Sequence, residues 1–325
     1  MKRDYGLRLV RKLYDIFGMS RDKIYANKSL PGVIPPAIAN RKILQVIASR
    51  MPCMISRFGT TESLALLNSY DLKLTRNPAP LVRAHAVLQG RHCKWEERTK
   101  QLLFDNAGFF PISDEALARF ESCYTKYIPL VDMLGVWGFV PGENYLIKKL
   151  CPDAQLFEPI ALEPYFFEDP WSAGLEGKRV LVVHPFAKTI TEQYKKRKKL
   201  FKNPLVLPDF ELRAIPAVQS LAGTSTPFPD WFRALEWMQN EMERAEFDVA
   251  IVGAGAYGLP LCAHAKSLGK IGVHIGGATQ ILFGIRGKRW DGMKAFRHLF
   301  NDDWVRPARE DVIEKAGSIE NGCYW

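Results

Sequence analysis

The chain has 325 residues, of which 47% are hydrophobic and 25% charged, a composition ordinary for a globular protein with a sizeable core. Its six cysteines are scattered, without a CxxC pair or a metal-like cluster with histidine, which argues against a disulfide framework and a structural zinc site. The formal net charge of +10 predicts an anionic partner: nucleic acid, a phosphorylated small molecule or an anionic membrane face.

The first predicted element is a basic, amphipathic helix near the amino end of the sequence. Its apolar stripe includes Leu9, Leu13 and Phe17, beside the cations Arg8 and Lys12. Such a helix either packs on the domain with its basic face in solvent, which we favour, or rests on an anionic membrane surface. Charges interrupt this segment, so it does not resemble a signal peptide, and no apolar run reaches the about 20 residues of a membrane span. We therefore expect a cytoplasmic protein, peripheral at the inner membrane face if the second alternative holds.

Apolar runs and helical segments alternate from Pro52 onward. The predicted strands are PCMISRF, VDMLGVWG, RVLVVHPF, Phe210 to Ile215, Asp248 to Val252 and Ile271 to Ile275. The predicted helices include a segment from Thr61, Trp95 to Phe104, Asp114 to Tyr127, Glu143 to Leu150, Pro229 to Ala245 and Tyr257 to Leu268. Strands that are apolar at every position are typical of a parallel sheet buried on both faces. We predict an α/β, Rossmann-like fold with a mostly parallel sheet, helices on both faces and a helical N-terminal segment.

This pattern also suggests a division of the chain. Residues 1–45 would form the basic helical N-terminal segment, residues 46–300 the Rossmann-like catalytic domain and residues 301–325 a C-terminal tail. That tail would serve as an interface or fold back on the domain.

A glycine-rich turn follows one of the predicted strands. The segment FDVAIVGAGAYGLPL carries Gly253, Gly255 and Gly258 in GxGxxG spacing before a predicted helix. Such a turn lets the backbone approach a phosphate, and the helix N-terminus supplies free N–H donors. A dinucleotide site would also require a carboxylate about 20 residues on, at the end of the next strand. Here that strand ends in VHIGGATQ, where Gly276 and Gly277 form a second turn. Two neighbouring turns would cradle a diphosphate; the alternative is that the glycines only permit tight packing.

His184 lies at the carboxyl end of the predicted strand RVLVVHPF, where open α/β sheets bind ligands. It would contact a phosphate, act as a general base, or form a structural hydrogen bond. The following segment KTITEQYKKRKKLFK has many cations and the single acid Glu192. Such a run is typical of a solvated helix face, and it also suits a pyrophosphate-linked acceptor or anionic lipid head groups. Neither interleaved aromatic residues nor a known binding module is present, so nucleic acid is not a predicted partner.

With these segments in view, the chain resembles the bacterial glycosyltransferases of the GT-D fold type. The resemblance rests on ISRFGTTES, RVLVVHPF with its basic helix, FDVAIVGAGAYGLPL and VHIGGATQ, and it extends from about Cys53 to Trp290. The tail motifs WVRP and GCYW are similar to those of a subgroup from polysaccharide gene clusters. The resemblance implies a Rossmann-like transferase in bacterial surface polysaccharide biosynthesis. It would move a sugar from a nucleotide-sugar donor to a glycan or a lipid-pyrophosphate-linked acceptor.

The GT-D signature RFGDGE corresponds here to Arg57 through Glu62, with Thr60 in place of the aspartate. In the family, the Asp-x-Glu pair contacts a divalent metal and the nucleotide sugar, so Glu62 is the candidate metal ligand. Mn²⁺ and Mg²⁺ prefer hard, anionic oxygen ligands, and a neutral hydroxyl is a poorer one. We therefore expect weak or absent metal dependence, with Arg57 or the basic helix partly replacing the ion at the leaving diphosphate.

The resemblance and the turns together give a candidate site. Arg57 would stabilise the diphosphate, and Glu62, with His184 as second choice, would act on the sugar or as a base. The candidate donor-binding residues are Gly59, Thr60, Thr61, Gly253, Gly255, Tyr257, Gly258, Gly276, Gly277 and Thr279.

Two further segments of the sequence are rich in aromatic residues. We expect Trp231 and Trp237 to lie in the core, with sugar stacking as the alternative, and EPYFFEDPW to be a long surface loop beside the acceptor.

An NAD(P)-dependent oxidoreductase remains the rival enzyme. A non-catalytic nucleotide- or glycan-binding protein, inactivated by loss of the aspartate at Thr60, is the rival from another class.

Overall fold

The centre of the molecule is a parallel β-sheet. The computed structural model describes residues 2–318 and 322–325, with side chains for residues 8–317 and 322–325. The strands are β1 (Cys53–Arg57), β2 (Met133–Gly135), β3 (Gln155–Phe157), β4 (Arg179–His184), β5 (Glu211–Pro216), β6 (Val249–Val252) and β7 (Ile271–His274). They form a 7-stranded sheet in the order β3-β2-β1-β7-β6-β4-β5, and every neighbouring pair is parallel. The predicted α/β, Rossmann-like fold class is therefore confirmed.

Helices surround this sheet. They are α1 (Lys2–Ile16), α2 (Arg21–Ile24), α3 (Pro36–Ser49), α4 (Thr60–Thr75), α5 (Pro80–Leu88), α6 (Glu97–Ala107), α7 (Asp114–Tyr127), α8 (Glu143–Leu150), α9 (Ala187–Lys195), α10 (Arg197–Leu200), α11 (Trp231–Glu243), α12 (Gly258–Ser267), α13 (Thr279–Leu282) and α14 (Lys288–Asp291). Each predicted strand or helix overlaps an observed one, whereas β3, α5, α13 and α14 are elements that the sequence pattern does not predict. None of the described helices has both the length and the apolar character of a bilayer span.

The strands are apolar at every position because both faces of the sheet are covered. In β4, Val180 and Val182 pack with α3 and α9 on one face, while Leu181 and Val183 pack with α4 and α12 on the other. All four side chains are at most 1% exposed. Successive residues of a strand point to opposite faces, so two covered faces leave no position for a polar side chain.

The strand order creates a crevice at one edge of the sheet. From β4 the chain continues to β5 on one side, whereas from β6 it continues to β7 on the other side. Adjacent strands whose connections diverge in this way leave an opening at their carboxyl ends, and ligands of open α/β sheets bind there. The carboxyl ends of β1, β4, β6 and β7 therefore define the place to look for a site.

The aromatic segment EPYFFEDPW is not the surface loop that the sequence suggested. It contains the short 3₁₀ turns Pro164–Phe166 and Trp171–Leu175, and Tyr165 and Trp171 are buried. The backbone N–H of Trp171 donates to Asn40 Oδ1 at 2.8 Å, which ties the segment to α3. The large apolar area of these rings favours burial over exposure to solvent. Trp231, by contrast, lies fully in the core as expected.

Helix α1 packs beside α5 through polar groups. Tyr14 Oη lies 3.0 Å from His85 Nδ1, and Arg11 Nη2 donates to the carbonyl oxygen of Val87 at 3.2 Å. The apolar stripe is exposed, at 56% for Leu9, 44% for Leu13, 66% for Ile16 and 71% for Phe17. The favoured expectation, that the helix packs on the domain with its basic face in solvent, holds for its contact with α5, but the apolar stripe is exposed instead of packed.

Candidate functional site

A cavity of about 650 Å³ lies over the carboxyl ends of β1, β4, β6 and β7. Its volume is within the range of small-molecule sites. The following predicted residues line it: Arg57, Gly59, Thr60, Thr61, Glu62, His184, Gly253, Gly255, Tyr257, Gly276 and Gly277. Gly258 and Thr279 lie behind this lining. The structure thus brings residues from both halves of the chain to a single site.

Arg57 leaves β1 at the floor of the cavity. Its hydrogen bonds are long, 3.4 Å each, to the carbonyl oxygens of Ile275 and Phe58, and it forms no ion pair with any described residue. Burial lowers the pKa of Arg57, and the neighbouring Glu62 carboxylate opposes that shift. Gly276 has φ +76° and lies against the guanidinium, so a β-carbon there would overlap Arg57. A cation with so few partners is placed to bind an anion.

Two carboxylates lie near this arginine. Glu62, in the first turn of α4, folds back over Gly59, where a β-carbon would overlap its carboxylate. Glu163, which the sequence reasoning did not single out, also lines the cavity and accepts a hydrogen bond from Tyr165 Oη at 2.8 Å. Burial raises the pKa of both carboxyl groups, and Arg57 partly opposes the rise. A carboxylate whose pKa is raised is a stronger base and is better suited to accept a proton.

His184 is a neutral hydrogen-bond donor in this structure. It is 3% exposed, and its burial lowers the pKa of the imidazole to about 3. The backbone N–H of Phe186 donates to His184 Nδ1 at 3.0 Å, so in the neutral ring the proton lies on Nε2. Of the expected roles, this geometry favours contact with a phosphate oxygen over proton abstraction.

The glycines of the two turns have different roles. A β-carbon on Gly253 would lie 2.5 Å from the carbonyl oxygen of Gly276 and 2.7 Å from Thr279 Oγ1, so the absence of a side chain lets the turns after β6 and β7 meet. At Gly258 a β-carbon would overlap the buried ring of His274. The packing explanation therefore holds for both glycines, which differ in that Gly253 lines the cavity and Gly258 does not.

The segment Gly322–Trp325 forms one wall of the site. The backbone N–H groups of Lys288 and Arg289 donate to the carbonyl oxygens of Trp325 and Cys323, at 3.2 and 2.9 Å. Tyr324 and Trp325 line the cavity, and a β-carbon on Gly277 would be 2.5 Å from the Tyr324 ring. The sequence analysis used the GCYW motif for the family resemblance and did not place it in the predicted site. The tail thus folds back on the domain.

The cations of the basic helix lie away from the cavity. Lys188 pairs with Glu310 at 2.8 Å and Arg197 with Asp209 at 2.6 Å, and no residue of α9 or α10 is among the described residues that line the site. Arg289 is the second cation of the lining, with its guanidinium 4.7 Å from the centre of the Tyr324 ring. The expectation that the basic helix assists at the diphosphate therefore finds no support in this geometry.

Several buried polar atoms around the cavity have no hydrogen-bond partner among the described residues. They are Gln219 Oε1, Gln280 Oε1, Thr279 Oγ1 and Trp325 Nε1. Both amides are fixed in orientation, because Gln219 Nε2 donates to the carbonyl oxygen of Asp311 and Gln280 Nε2 donates to those of Ile285 and Tyr324. Their oxygens are therefore genuine acceptors. Buried polar atoms are nearly always satisfied, so the two amide oxygens indicate a ligand or water that donates hydrogen bonds to them, whereas the Trp325 Nε1–H requires an acceptor.

The donor set at the signature does not fit a divalent ion well. Glu62 supplies one carboxylate, Thr60 and Thr61 supply neutral hydroxyls, and the Arg57 cation lies beside them. The described residues contain no group of three His, Cys, Asp or Glu side chains that could hold a metal. Mn²⁺ and Mg²⁺ bind poorly to such a set. The expected metal independence stays a prediction.

Residues 168–282 match the family model of the GT-D fold-like domain. This part of the chain has a GT-D-like fold. The range runs from before β4 to the end of α13, so it contains His184 and both glycine turns but not the signature at Arg57 to Glu62. The predicted relation to the GT-D fold type is confirmed, while the subgroup with the WVRP and GCYW motifs stays a prediction. No curated protein and no solved structure matches the chain.

Proposed function

We propose that this GT-D-like protein is a glycosyltransferase that uses a nucleotide-sugar donor. The observation that carries the proposal is Arg57, a cation without an ion pair among the described residues, held against Gly276 in a cavity that also contains two carboxylates. A transferase of this kind must neutralise a leaving diphosphate and accept a proton, and these groups are suited to both tasks. The GT-D-like domain of residues 168–282 supports the same assignment.

The proposed donor site divides into an anionic and a hydroxyl-binding part. Arg57, the Nε2–H of His184 and the turn at Gly276 would hold the diphosphate. The unpaired oxygens of Gln219 and Gln280 would accept hydrogen bonds from sugar or ribose hydroxyls. A phosphate oxygen offers no proton to an amide oxygen, whereas a hydroxyl does. The ligand that satisfies this cavity is therefore both anionic and rich in hydroxyl groups.

In the proposed reaction the bond from the anomeric carbon to the diphosphate oxygen breaks, and its electron pair leaves with the diphosphate. The acceptor hydroxyl oxygen forms the new bond to that carbon. For an inverting transfer, its proton passes to the carboxylate of Glu62 or Glu163. Arg57 stabilises the growing negative charge of the leaving group. No step requires a metal ion.

We extend the proposal to a cytoplasmic enzyme of bacterial surface polysaccharide assembly with a glycan or lipid-pyrophosphate-linked acceptor. The sequence resemblance and the net charge of +10 support an anionic acceptor. Residues 46–300 would carry the chemistry, with the helical segment before them and the tail of residues 301–325 closing one wall of the site.

A binding panel tests the proposal. UDP, GDP, CMP and dTDP sugars and NAD(P) are titrated against the whole chain, with and without Mn²⁺, by thermal shift and ligand-detected NMR. We expect one nucleotide sugar to bind selectively and an acceptor to promote release of its nucleotide. Binding of NAD(P) alone would replace the transferase by the oxidoreductase, and donor binding without turnover in the presence of acceptors would favour the non-catalytic protein.

A variant pair connects the binding to the cavity. Arg57→Gln is expected to weaken donor binding by roughly tenfold to a hundredfold, since hydrogen bonds to charged groups contribute about 1.5–3 kcal/mol. Arg76→Gln, at the exposed end of α4, is the control and should bind as the unchanged chain does. Equal binding by both variants would remove Arg57 from the donor site.

A further inference from the structure

Helix α1 has an apolar face that no described part of the chain covers. Leu9, Leu13 and Ile16 are 56%, 44% and 66% exposed, and Phe17, directly after the helix, is 71% exposed. Isolated exposed apolar side chains are common on proteins, whereas a contiguous patch marks an interaction surface. These four residues are called the α1 stripe below.

The α1 stripe and the packed side of the helix point in opposite directions. At 100° per residue, Leu9, Leu13 and Ile16 lie on one side of an α-helix, whereas Tyr14 and Arg11 lie on the other. Tyr14 and Arg11 make the contacts to α5, through His85 and the carbonyl oxygen of Val87. The helix is thus anchored by its polar side and presents its apolar side outward. The neighbouring helix α5 adds Leu81 and Val82, which are 86% and 39% exposed.

Cations accompany this apolar surface. Arg8 and Lys12 are exposed on α1 between the stripe and the packed side, and Asp15, which accepts from Ser20 Oγ at 2.8 Å, lies toward the packed side. A helix with an apolar stripe and basic flanks lies in the plane of a bilayer interface, and its cations are attracted to anionic lipids. A second copy of the chain is a poorer occupant, because pairing two such stripes would bring the cations of both copies together.

We propose that α1 docks this protein on the surface of an anionic bilayer, with the α1 stripe at the boundary of head groups and acyl chains. Lys12, beside the stripe, then faces the lipid phosphates. The inference rests on exposure, packing direction and charge of α1, and it stands whether or not the cavity transfers a sugar.

Vesicle sedimentation tests the docking with the full chain. Vesicles of phosphatidylglycerol and phosphatidylcholine are compared with vesicles of phosphatidylcholine alone, at low and high salt. We expect sedimentation with the anionic vesicles and release by salt, because charge attraction is screened. The double variant Leu13→Ser/Phe17→Ser is expected to reduce partitioning at least about tenfold, since it removes two large apolar side chains. Lys12→Gln is expected to reduce it about fivefold, because one basic residue contributes about 1 kcal/mol near an anionic surface.

Met51→Ser is the matched control, because Met51 is 66% exposed, as Ile16 is, but lies before β1 and outside α1. It should sediment as the unchanged chain does, and all variants should share its unfolding temperature because the substituted side chains are exposed. Equal sedimentation of the double variant, or equal binding to neutral and anionic vesicles, would overturn the proposal. A dimer that the double variant converts to a monomer, with vesicle binding absent throughout, would assign the stripe to a second copy instead.

Discussion

Gly276→Ala separates the chemistry of the cavity from the stability of the fold. Gly276 has φ +76°, a region in which an alanine costs about 1–2 kcal/mol, so the free energy of unfolding should fall by that amount. The added β-carbon would also meet the guanidinium of Arg57. Arg57 is held by two hydrogen bonds of 3.4 Å and by a contact of its guanidinium with the Trp137 ring, 5.7 Å from the ring centre, so it would move aside at a modest further cost to the fold. The displaced cation would no longer reach the diphosphate.

Gly269 provides a matched control for this variant. Its φ is +75°, almost the same as that of Gly276, but a β-carbon there would have no neighbour within 4 Å. Gly269→Ala should therefore lose the same 1–2 kcal/mol of unfolding free energy, about the cost of left-handed backbone in alanine, and retain donor binding. The difference between the two variants isolates the contact with Arg57.

The assay combines urea unfolding with calorimetric titration of the nucleotide sugar. Gly276→Ala is expected to lose roughly tenfold to a hundredfold in affinity, the usual contribution of a hydrogen bond to a charged group. Unchanged affinity in Gly276→Ala would refute the role of Arg57 against this turn. An equal loss of affinity in Gly269→Ala would attribute the effect to general destabilisation.

The remaining predictions concern ionisable groups. Glu62→Gln should raise the free energy of unfolding at neutral pH while slowing transfer about 10²- to 10⁴-fold. Burial raises the pKa of Glu62, so the stability that its protonated form contributes is present below the ordinary carboxyl pKa and is lost as pH rises through the raised value. Unfolding of both chains at pH 4 and pH 8 would check this. His184 has its pKa lowered to about 3, so stability should fall as pH drops from about 6.5, by about 2 kcal/mol at pH 5, and His184→Asn should flatten that dependence in acid unfolding. Thr60→Asp, at the first residue of α4, should create Mn²⁺ binding with Glu62 that calorimetry detects; no gain in metal binding would contradict the alignment with the GT-D signature.

The strands of the sheet could be predicted because their apolar pattern involves only residues that are adjacent in the sequence. Buried parallel strands such as RVLVVHPF are apolar at consecutive positions, and that pattern survives whatever the strand order turns out to be. β3 escaped prediction because it has three residues, and its Gln155 and Leu156 are only partly buried. The aromatic segment around Tyr165 was misplaced for another reason. A stretch that contains both acids and aromatics is compatible with an exposed loop and with a buried segment. Its burial here depends on contacts with α3, which is distant in the sequence.

Part of the candidate site could be predicted because its residues end or follow strands, whereas Glu62 in α4 was found through the resemblance to the GT-D signature. Arg57, His184, Gly253 and Gly276 end or follow strands, so the rule that ligands bind at carboxyl ends of strands finds them. Gln219 is different, because its importance lies in an oxygen left without a donor. That property depends on the carbonyl of Asp311 taking the amide hydrogens, and no local pattern reports it.

If Arg57 to Glu62 align with the GT-D signature, Thr60 in place of the aspartate bears on the proposed roles of Arg57 and His184. If a family member relies on a metal ion to neutralise the diphosphate, a chain without the aspartate must supply positive charge and hydrogen-bond donors from its own side chains. Here Arg57 has no ion pair among the described residues, and His184 presents Nε2–H because Phe186 occupies Nδ1. A bound cation would repel Arg57, so this arrangement of charges does not favour an ion at the same position. Under the proposed function, Arg57 and His184 rather than an ion would stabilise the leaving group.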